Sequence, residues 1–219
     1  MAYIKSNEIF ITGCDSKCEW QLQWFLKRYR KHNDTPIAFC DFGVSYETRL
    51  WAQSAFDEVY EIPIQHNAGW FYKPRAIRHA PAKTKVWLDT DIEVLGDLSG
   101  IFTLLQPEQL NMCQDRPWIK RRGEMWHNSG TVGVIGTPQI LIDWEHRCVN
   151  HAKQGDQEVL HEMLQNDILR LKYINTLPQK YNWLRIQLLD GEDMDGKLCM
   201  HWTGMKGNME IEKQIYNDQ

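Results

Sequence analysis

The chain has 219 residues, 42% hydrophobic and 11% aromatic, which is enough to bury one sizeable core, so a single domain over 1–219 is expected. A formal net charge of −4 argues against general attraction to nucleic acid or to an anionic membrane, and any phosphate bound must be met by local groups. No stretch reaches the roughly 18 apolar residues of a spanning helix, and residues 1–8 carry charges where a signal peptide needs an apolar run.

Six scattered cysteines read as reduced thiols, and with no leader in view a cytoplasmic location is expected. Cys14 and Cys18 lack a second close Cys or His pair that would complete a structural zinc site, so they too read as free thiols.

Residues 8–12 form an apolar run ending at Gly13, which predicts a first buried strand. Ser16-Lys17-Cys18-Glu19 has the capping-box pattern, and Cys18, Leu22, Phe25, Leu26 and Tyr29 repeat at helical spacing. A helix is predicted from there, with Lys27, Arg28, Arg30 and Lys31 at the end its dipole favours. Residues 36–40 predict a second strand, 45–56 a second helix and 59–62 a third strand, and this alternation points to a mainly parallel, Rossmann-like α/β sheet flanked by helices.

Residues 70–79 predict a helix, and 84–88 an apolar strand that runs directly into Asp89-Thr90-Asp91. In such sheets ligands gather at the carboxyl ends of strands. After Ile92-Glu93-Val94 and an amphipathic stretch over 97–105, regularity fades through 107–127, which reads as a mobile or substrate-facing loop. A strand over 131–135, helices over 139–152 and 157–170, and short strands over 172–174 and 198–201 complete the expectation.

Two carboxylates two residues apart at a strand end can face one side, where neither is stable without a counter-charge. A divalent cation such as Mg²⁺ or Mn²⁺ is a natural partner, since it needs only one or two protein carboxylates when phosphate and water complete its shell. The spacing alone also fits a solvated turn.

Trp87-Leu88-Asp89-Thr90-Asp91-Ile92-Glu93-Val94 resembles the metal-binding segment of glycosyltransferase family 8, the group that contains glycogenin and bacterial galactosyltransferases of the GT-A fold. Tyr72-Lys73-Pro74-Arg75-Ala76-Ile77 resembles that family's basic donor-contacting helix. His127-Asn128-Ser129-Gly130 resembles its Asn-[Ser/Ala]-Gly strand, Gly155-Asp156-Gln157 its Asp-Gln pair, and His201-Trp202-Thr203-Gly204-Met205-Lys206 its His-x-x-Gly-x-x-Lys segment. In the last of these, Lys206 stands one residue nearer the glycine than is usual. The blocks occur in the family's order over almost the whole chain.

The resemblance implies a single GT-A domain that moves a hexose from a nucleotide-sugar donor, a UDP-sugar by family expectation, to an acceptor hydroxyl with retention. It implies metal ligands Asp89, Asp91 and His201 for Mn²⁺ or Mg²⁺. Donor contacts would come from Thr12, Asp15, Lys73, Arg75, Asp89, Thr90, Gly204 and Lys206, and Asn128, Asp156 and Gln157 would surround the reacting sugar. Acceptor choice is expected in 107–127 and the carboxyl-terminal tail.

Several of these residues have plainer alternatives. His201 could be an ordinary hydrogen-bonded histidine, Lys73 and Arg75 could form surface ion pairs, and Asp15 and Asp156 could cap the helices that follow them. Ten tryptophans are many for this length, and Trp70, Trp126, Trp183 and Trp202 are candidates for stacking on sugar. A nucleotidyltransferase is a rival reading, although no Gly-rich phosphate loop is convincing near Gly13, and a non-catalytic nucleotide-sugar or glycan-binding module is another.

Overall fold

Along the first strands alternate side chains enter different apolar layers, as a sheet buried on both faces requires. A computed structural model describes residues 7–64, 69–150 and 155–218. The charged residues 1–6 and the last two residues of the helix expected over 139–152 lie outside them.

In chain order the elements are β1 (Glu8–Cys14), α1 (Leu22–His32), β2 (Ile37–Asp41), α2 (Tyr46–Ala55), β3 (Glu58–Glu61), α3 (Lys73–His79), β4 (Thr84–Leu88), β5 (Ile92–Val94) and β6 (Leu110–Gln114). They continue with α4 (Arg116–Arg122), β7 (His127–Ile135), α5 (Gln139–Asn150), α6 (Asp156–Met163), α7 (Asp167–Tyr173), β8 (Ile174–Thr176), β9 (Trp183–Leu184), α8 (Arg185–Leu189), β10 (Cys199–His201) and α9 (Gly204–Asn217).

Seven strands form the central sheet in the order β3-β2-β1-β4-β7-β6-β8, and β7 alone runs against the rest among the described residues. The expected parallel sheet is therefore mainly parallel, with one reversed strand. Phe10, Ile37, Phe39, Val86 and Leu88 pack under α1 and α2 with Leu22, Phe25, Tyr29 and Ala52. Ile9, Ile11, Ala38, Cys40 and Trp87 take the other face, against Ala76, Ile77, Leu141, Trp144 and Leu160. A second sheet, β5-β10-β9, stands beyond the end of β4.

Several boundaries differ from expectation for identifiable reasons. The capping box at Ser16 does not form, because the Glu19 carboxylate accepts the Ser45 backbone N–H at 2.7 Å; a 3-10 turn over Glu19–Gln21 precedes α1 instead. Residues 69–72 and 99–104 are also 3-10 turns, and α3 starts only at Lys73, with Pro74 in its first turn. The helix expected over 157–170 breaks after Met163 and restarts where the Asn166 side chain accepts the Leu169 N–H at 2.9 Å.

The expected loop over 107–127 contains β6 and α4. Asp115 caps α4 by accepting from Trp118 N at 3.1 Å, Pro117 lies in its first turn, and Gly123 ends it at φ 73°, a left-handed conformation. All six cysteines are free, and among the described residues no helix is long and apolar enough to cross a membrane.

Candidate active site

β4 delivers Asp89 to the end of the sheet, where its N–H still donates to Gly130 O at 2.9 Å, and the Ile92 N–H donates back to Asp89 O at 3.1 Å in a tight turn. β10 pairs antiparallel with β5 in a register that sets His201 opposite Ile92, and Trp202 N donates to Asp91 O at 3.0 Å. Residues 110 positions apart in sequence thereby become neighbours.

One oxygen from each of Asp89 and Asp91 and one His201 ring nitrogen all lie within 4.8 Å of one another. His201 Nε2 stands 3.0 Å from Asp91 Oδ1 and 3.9 Å from Asp89 Oδ2. Its Nδ1 lies 3.0 Å from Asn182 Oδ1, a partner that orients the ring and leaves Nε2 facing the acids. Gly130 is obligatory beside it, since a methyl group there would overlap the His201 ring.

Two carboxylates and an imidazole form a donor set suited to Mn²⁺ or Mg²⁺, so the residues fit the expected cation. Protonated groups balance the acids otherwise. Burial would push Asp91 up, but the His201 charge and hydrogen bond outweigh it and hold Asp91 below the usual carboxylate range. For Asp89, burial prevails over the Lys73 charge and raises its carboxyl. Burial would lower His201, yet the Asp91 charge and hydrogen bond raise it.

Lys73, at the start of α3, is buried with Nζ 2.9 Å from Asp89 Oδ1 and 3.2 Å from Asp156 Oδ2, and it donates to Ser129 O at 3.0 Å. Burial alone would lower its pKa; Asp156 and Asp89 together raise it and keep the ammonium charged. Asp156 is the first residue of α6, behind Gly155, and it pairs with Lys73 instead of capping the helix.

Asn128, Gln157 and Asp115 form a closed triangle next to this pair. Asn128 Nδ2 donates to Gln157 Oε1 at 3.0 Å and to Asp115 Oδ2 at 3.1 Å, and Gln157 Nε2 donates to Asp115 Oδ2 at 3.0 Å. Asn128 Oδ1 accepts from Asn182 Nδ2 at 2.8 Å, which ties the triangle to the partner of His201. Thr90 Oγ1 donates to Gln21 Oε1 at 2.8 Å, and Gln21 Nε2 to Asn208 Oδ1 at 3.1 Å, so the acidic turn is also braced to α9.

These groups surround a cavity of about 710 Å³ at the carboxyl end of β1 and β4. Of the residues singled out by sequence, Asp15, Lys73, Asp89, Thr90, Asp91, Asn128, Asp156, Gln157, His201 and Gly204 line it. Three do not. Thr12 is fully buried inside β1, short of the cavity formed by Gly13, Cys14 and Asp15. Arg75 points to α5, where its Nε meets Glu145 Oε1 at 2.8 Å, so it is a structural ion pair. Lys206 is exposed on α9 and outside the lining; each residue turns a helix by about 100°, so a shift of one position is enough to carry its side chain off the cavity face.

Asp15 caps no helix side-on but accepts Lys17 N at 3.0 Å within the loop that follows β1. Of the tryptophan candidates, only Trp70, half-exposed, reaches the cavity; Trp126 and Trp183 are buried elsewhere, and Trp202 donates to Glu93 at 2.9 Å. Trp118, Asp115, Asn182, Glu158 and Arg185 were not anticipated. Cys18 lines the cavity too, but burial, then Asp15, Asp91 and Asp89, push its thiol up to about 11, which disfavours a nucleophilic thiolate.

No family model and no curated protein matches the sequence. Solved structures are similar over nearly its whole length. The apo-form glycosyltransferase GlyE of Streptococcus pneumoniae TIGR4 aligns with a TM-score of 0.66 at 14% identity, over 97% of this chain and 64% of that one. Galactosyltransferase LgtC, solved with donor and acceptor sugar analogues, gives 0.65 at 11% identity, over 95% and 94%. The bifunctional glycosyltransferase WbbM gives 0.63 at 12% identity, over 100% and 53%. The chain therefore spans about 64% of GlyE and nearly all of LgtC, and it has the GT-A fold.

Proposed function

We propose that the protein is a metal-dependent glycosyltransferase that moves a hexose from a nucleoside-diphosphate sugar, a UDP-sugar first among the candidates, to a hydroxyl of a carbohydrate or similar acceptor. The observation that carries this is the convergence of Asp89, Asp91 and His201 inside the strand-end cavity of a GT-A fold. Free thiols agree with a reducing, cytoplasmic setting.

In this reading Asp89, Asp91 and His201 hold Mn²⁺ or Mg²⁺, which supplies charge stabilisation at the diphosphate when bound. Asp15 and Thr90 lie on the nucleotide side, and Lys73 neutralises Asp89 and Asp156 and sets their orientation. Gln157, Asp115 and Asp156 are the groups that would meet the sugar hydroxyls, and Asn128, whose amide hydrogens both go to Gln157 and Asp115, holds them in place.

Transfer breaks the bond from the anomeric carbon to the diphosphate oxygen, with the electron pair leaving on that oxygen. The acceptor oxygen bonds to the carbon from the same face, and its proton passes to the departing diphosphate. Asp156 is held by its ion pair with Lys73 and is assigned to orienting the sugar, the front-face route being the one that needs no enzymic nucleophile.

The test is release of nucleoside diphosphate from a panel of nucleotide sugars, with Mn²⁺ or with EDTA. Metal-dependent release by wild type that is lost in Asp91→Asn supports the reading. Equal rates for the two proteins with every donor would remove the catalytic claim.

A further inference from the structure

Among the described residues four basic side chains line the cavity: Lys17, Lys73, Arg185 and His201. Lys73 is engaged by Asp89 and Asp156, His201 by Asp91, and Lys17 is exposed. Arg185 differs from all three. It is half-buried at the junction of β9 and α8, its Nε donates to Thr203 O at 3.2 Å, and no carboxylate pairs with its guanidinium among the described residues.

The topology sets Arg185 beside the metal-ligand segment. β9 runs parallel to β10 with Leu184 in register with His201, so Arg185 follows one residue past the histidine's position. Thr203, which holds its Nε, is two residues past His201 and directly precedes the first turn of α9. The Thr203 hydroxyl oxygen is itself buried without a hydrogen-bond partner among the described residues.

A guanidinium is planar, and the bond from Nε fixes how that plane is turned, so its two terminal nitrogens present a fork matched to paired oxygens of a phosphate. Arg185 lines the cavity, and with Nε on Thr203 O and no carboxylate paired with it among the described residues, its terminal N–H groups are available to an anion there. Lys206, the cation that the sequence pattern offers for that task, is exposed on α9 and does not line the cavity.

We propose that Arg185, in place of Lys206, binds the terminal phosphate of the nucleoside diphosphate. This rests on the glycosyltransferase reading and adds a phosphate-binding residue that the family pattern does not supply. Arg185 then distinguishes a diphosphate from a monophosphate, because the second phosphate is the group it reaches.

Isothermal titration with Mn²⁺ present measures this. The probe is whichever of uridine, guanosine, adenosine and cytidine diphosphate binds wild type most tightly, with the matching monophosphate as reference. Arg185→Ala is expected to weaken the diphosphate roughly tenfold to a hundredfold, the range for a lost charge-assisted hydrogen bond pair. Monophosphate affinity should change less than about threefold, Arg185→Lys should recover part of the loss, and Lys206→Ala should match wild type.

Unchanged diphosphate affinity in Arg185→Ala, an equal loss for diphosphate and monophosphate in all Arg185 variants, or a large loss in Lys206→Ala would overturn the assignment. If wild type bound no nucleoside diphosphate, the glycosyltransferase reading itself would fall, and the assignment with it. Circular dichroism checks separately that each variant is folded.

Discussion

The two halves of the central sheet are built from different materials. In β3-β2-β1-β4 the buried residues are mostly apolar, with Ile9, Phe10, Ile11, Ile37, Ala38 and Phe39 all fully buried. In β7-β6-β8 and the segments beside them, Asn111, Asp115, His127, Asn128, Ser129, Thr131 and Asn182 are buried polar groups joined by hydrogen bonds. The first half fixes where the strand ends stand; the second provides a wall of directed donors and acceptors. A buried polar network is stable only when nearly every member is satisfied, so the second half should be the one whose small changes alter the site.

The largest separation of the two halves should come at their seam. Asp91→Asn is expected to lower metal-dependent turnover about a thousandfold or more while leaving thermal unfolding close to wild type, as read by steady-state kinetics and circular dichroism. Phe10→Ala, which empties a core position packed edge-on against Tyr29 and Phe102, should do the reverse. It should cost about 3–5 kcal/mol in denaturant unfolding, with diphosphate affinity kept under folding conditions.

His127 tests the polar half by pH. Burial, then Arg170, pushes its pKa down to about 4, so the native imidazole stays neutral while the unfolded one titrates near 6.5. The unfolded state therefore binds the extra proton, and stability should be intact above pH 6.5 and fall between 6.5 and 4, by at most about 3 kcal/mol. Denaturant midpoints across that window should show the decline, and His127→Gln should flatten it. A slope unchanged by the substitution would assign the effect to other groups.

A smaller effect is expected from Asn182→Leu, which touches no substrate. It removes the partner of His201 Nδ1 and one of the two donors to Asn128 Oδ1, and metal affinity by titration should drop roughly tenfold to a hundredfold. An affinity within twofold of wild type would show that Asn182 does not orient the histidine.

The contrast between halves also explains what the sequence made legible. Asp89-Thr90-Asp91 stood out because an apolar strand runs straight into two acids, a pattern contained in eight residues. His201 carries no such local mark, and only its family-like segment pointed to it. Its position depends on the β5–β10 register, a contact across more than a hundred residues.

Some signals were present and overridden. Asp115, Pro117 and Gly123 are the cap, first-turn proline and left-handed terminus of α4, yet the basic residues between them, with only Trp118 and Ile119 large and apolar, leave no helical apolar period to read. At Ser16 the reverse occurred, because Glu19 found a tertiary partner in Ser45. Arg75 and Lys206 looked like phosphate cations by pattern, but a carboxylate on α5 engages one and helical rotation carries the other away. Arg185 has no local signal at all, since its place in the cavity depends on the Thr203 carbonyl and on the pairing of β9 with β10.

Electron paramagnetic resonance titration of Mn²⁺ into wild type and His201→Ala tests the joined site most directly. The account predicts one saturable site in wild type, tightened by nucleoside diphosphate and weakened at least about tenfold in His201→Ala. It also predicts tighter binding as pH rises and the His201 imidazole, whose proton Asp91 retains, becomes neutral. Identical binding by the two proteins would contradict it, because Asp89 and Asp91 would then hold the ion without the histidine.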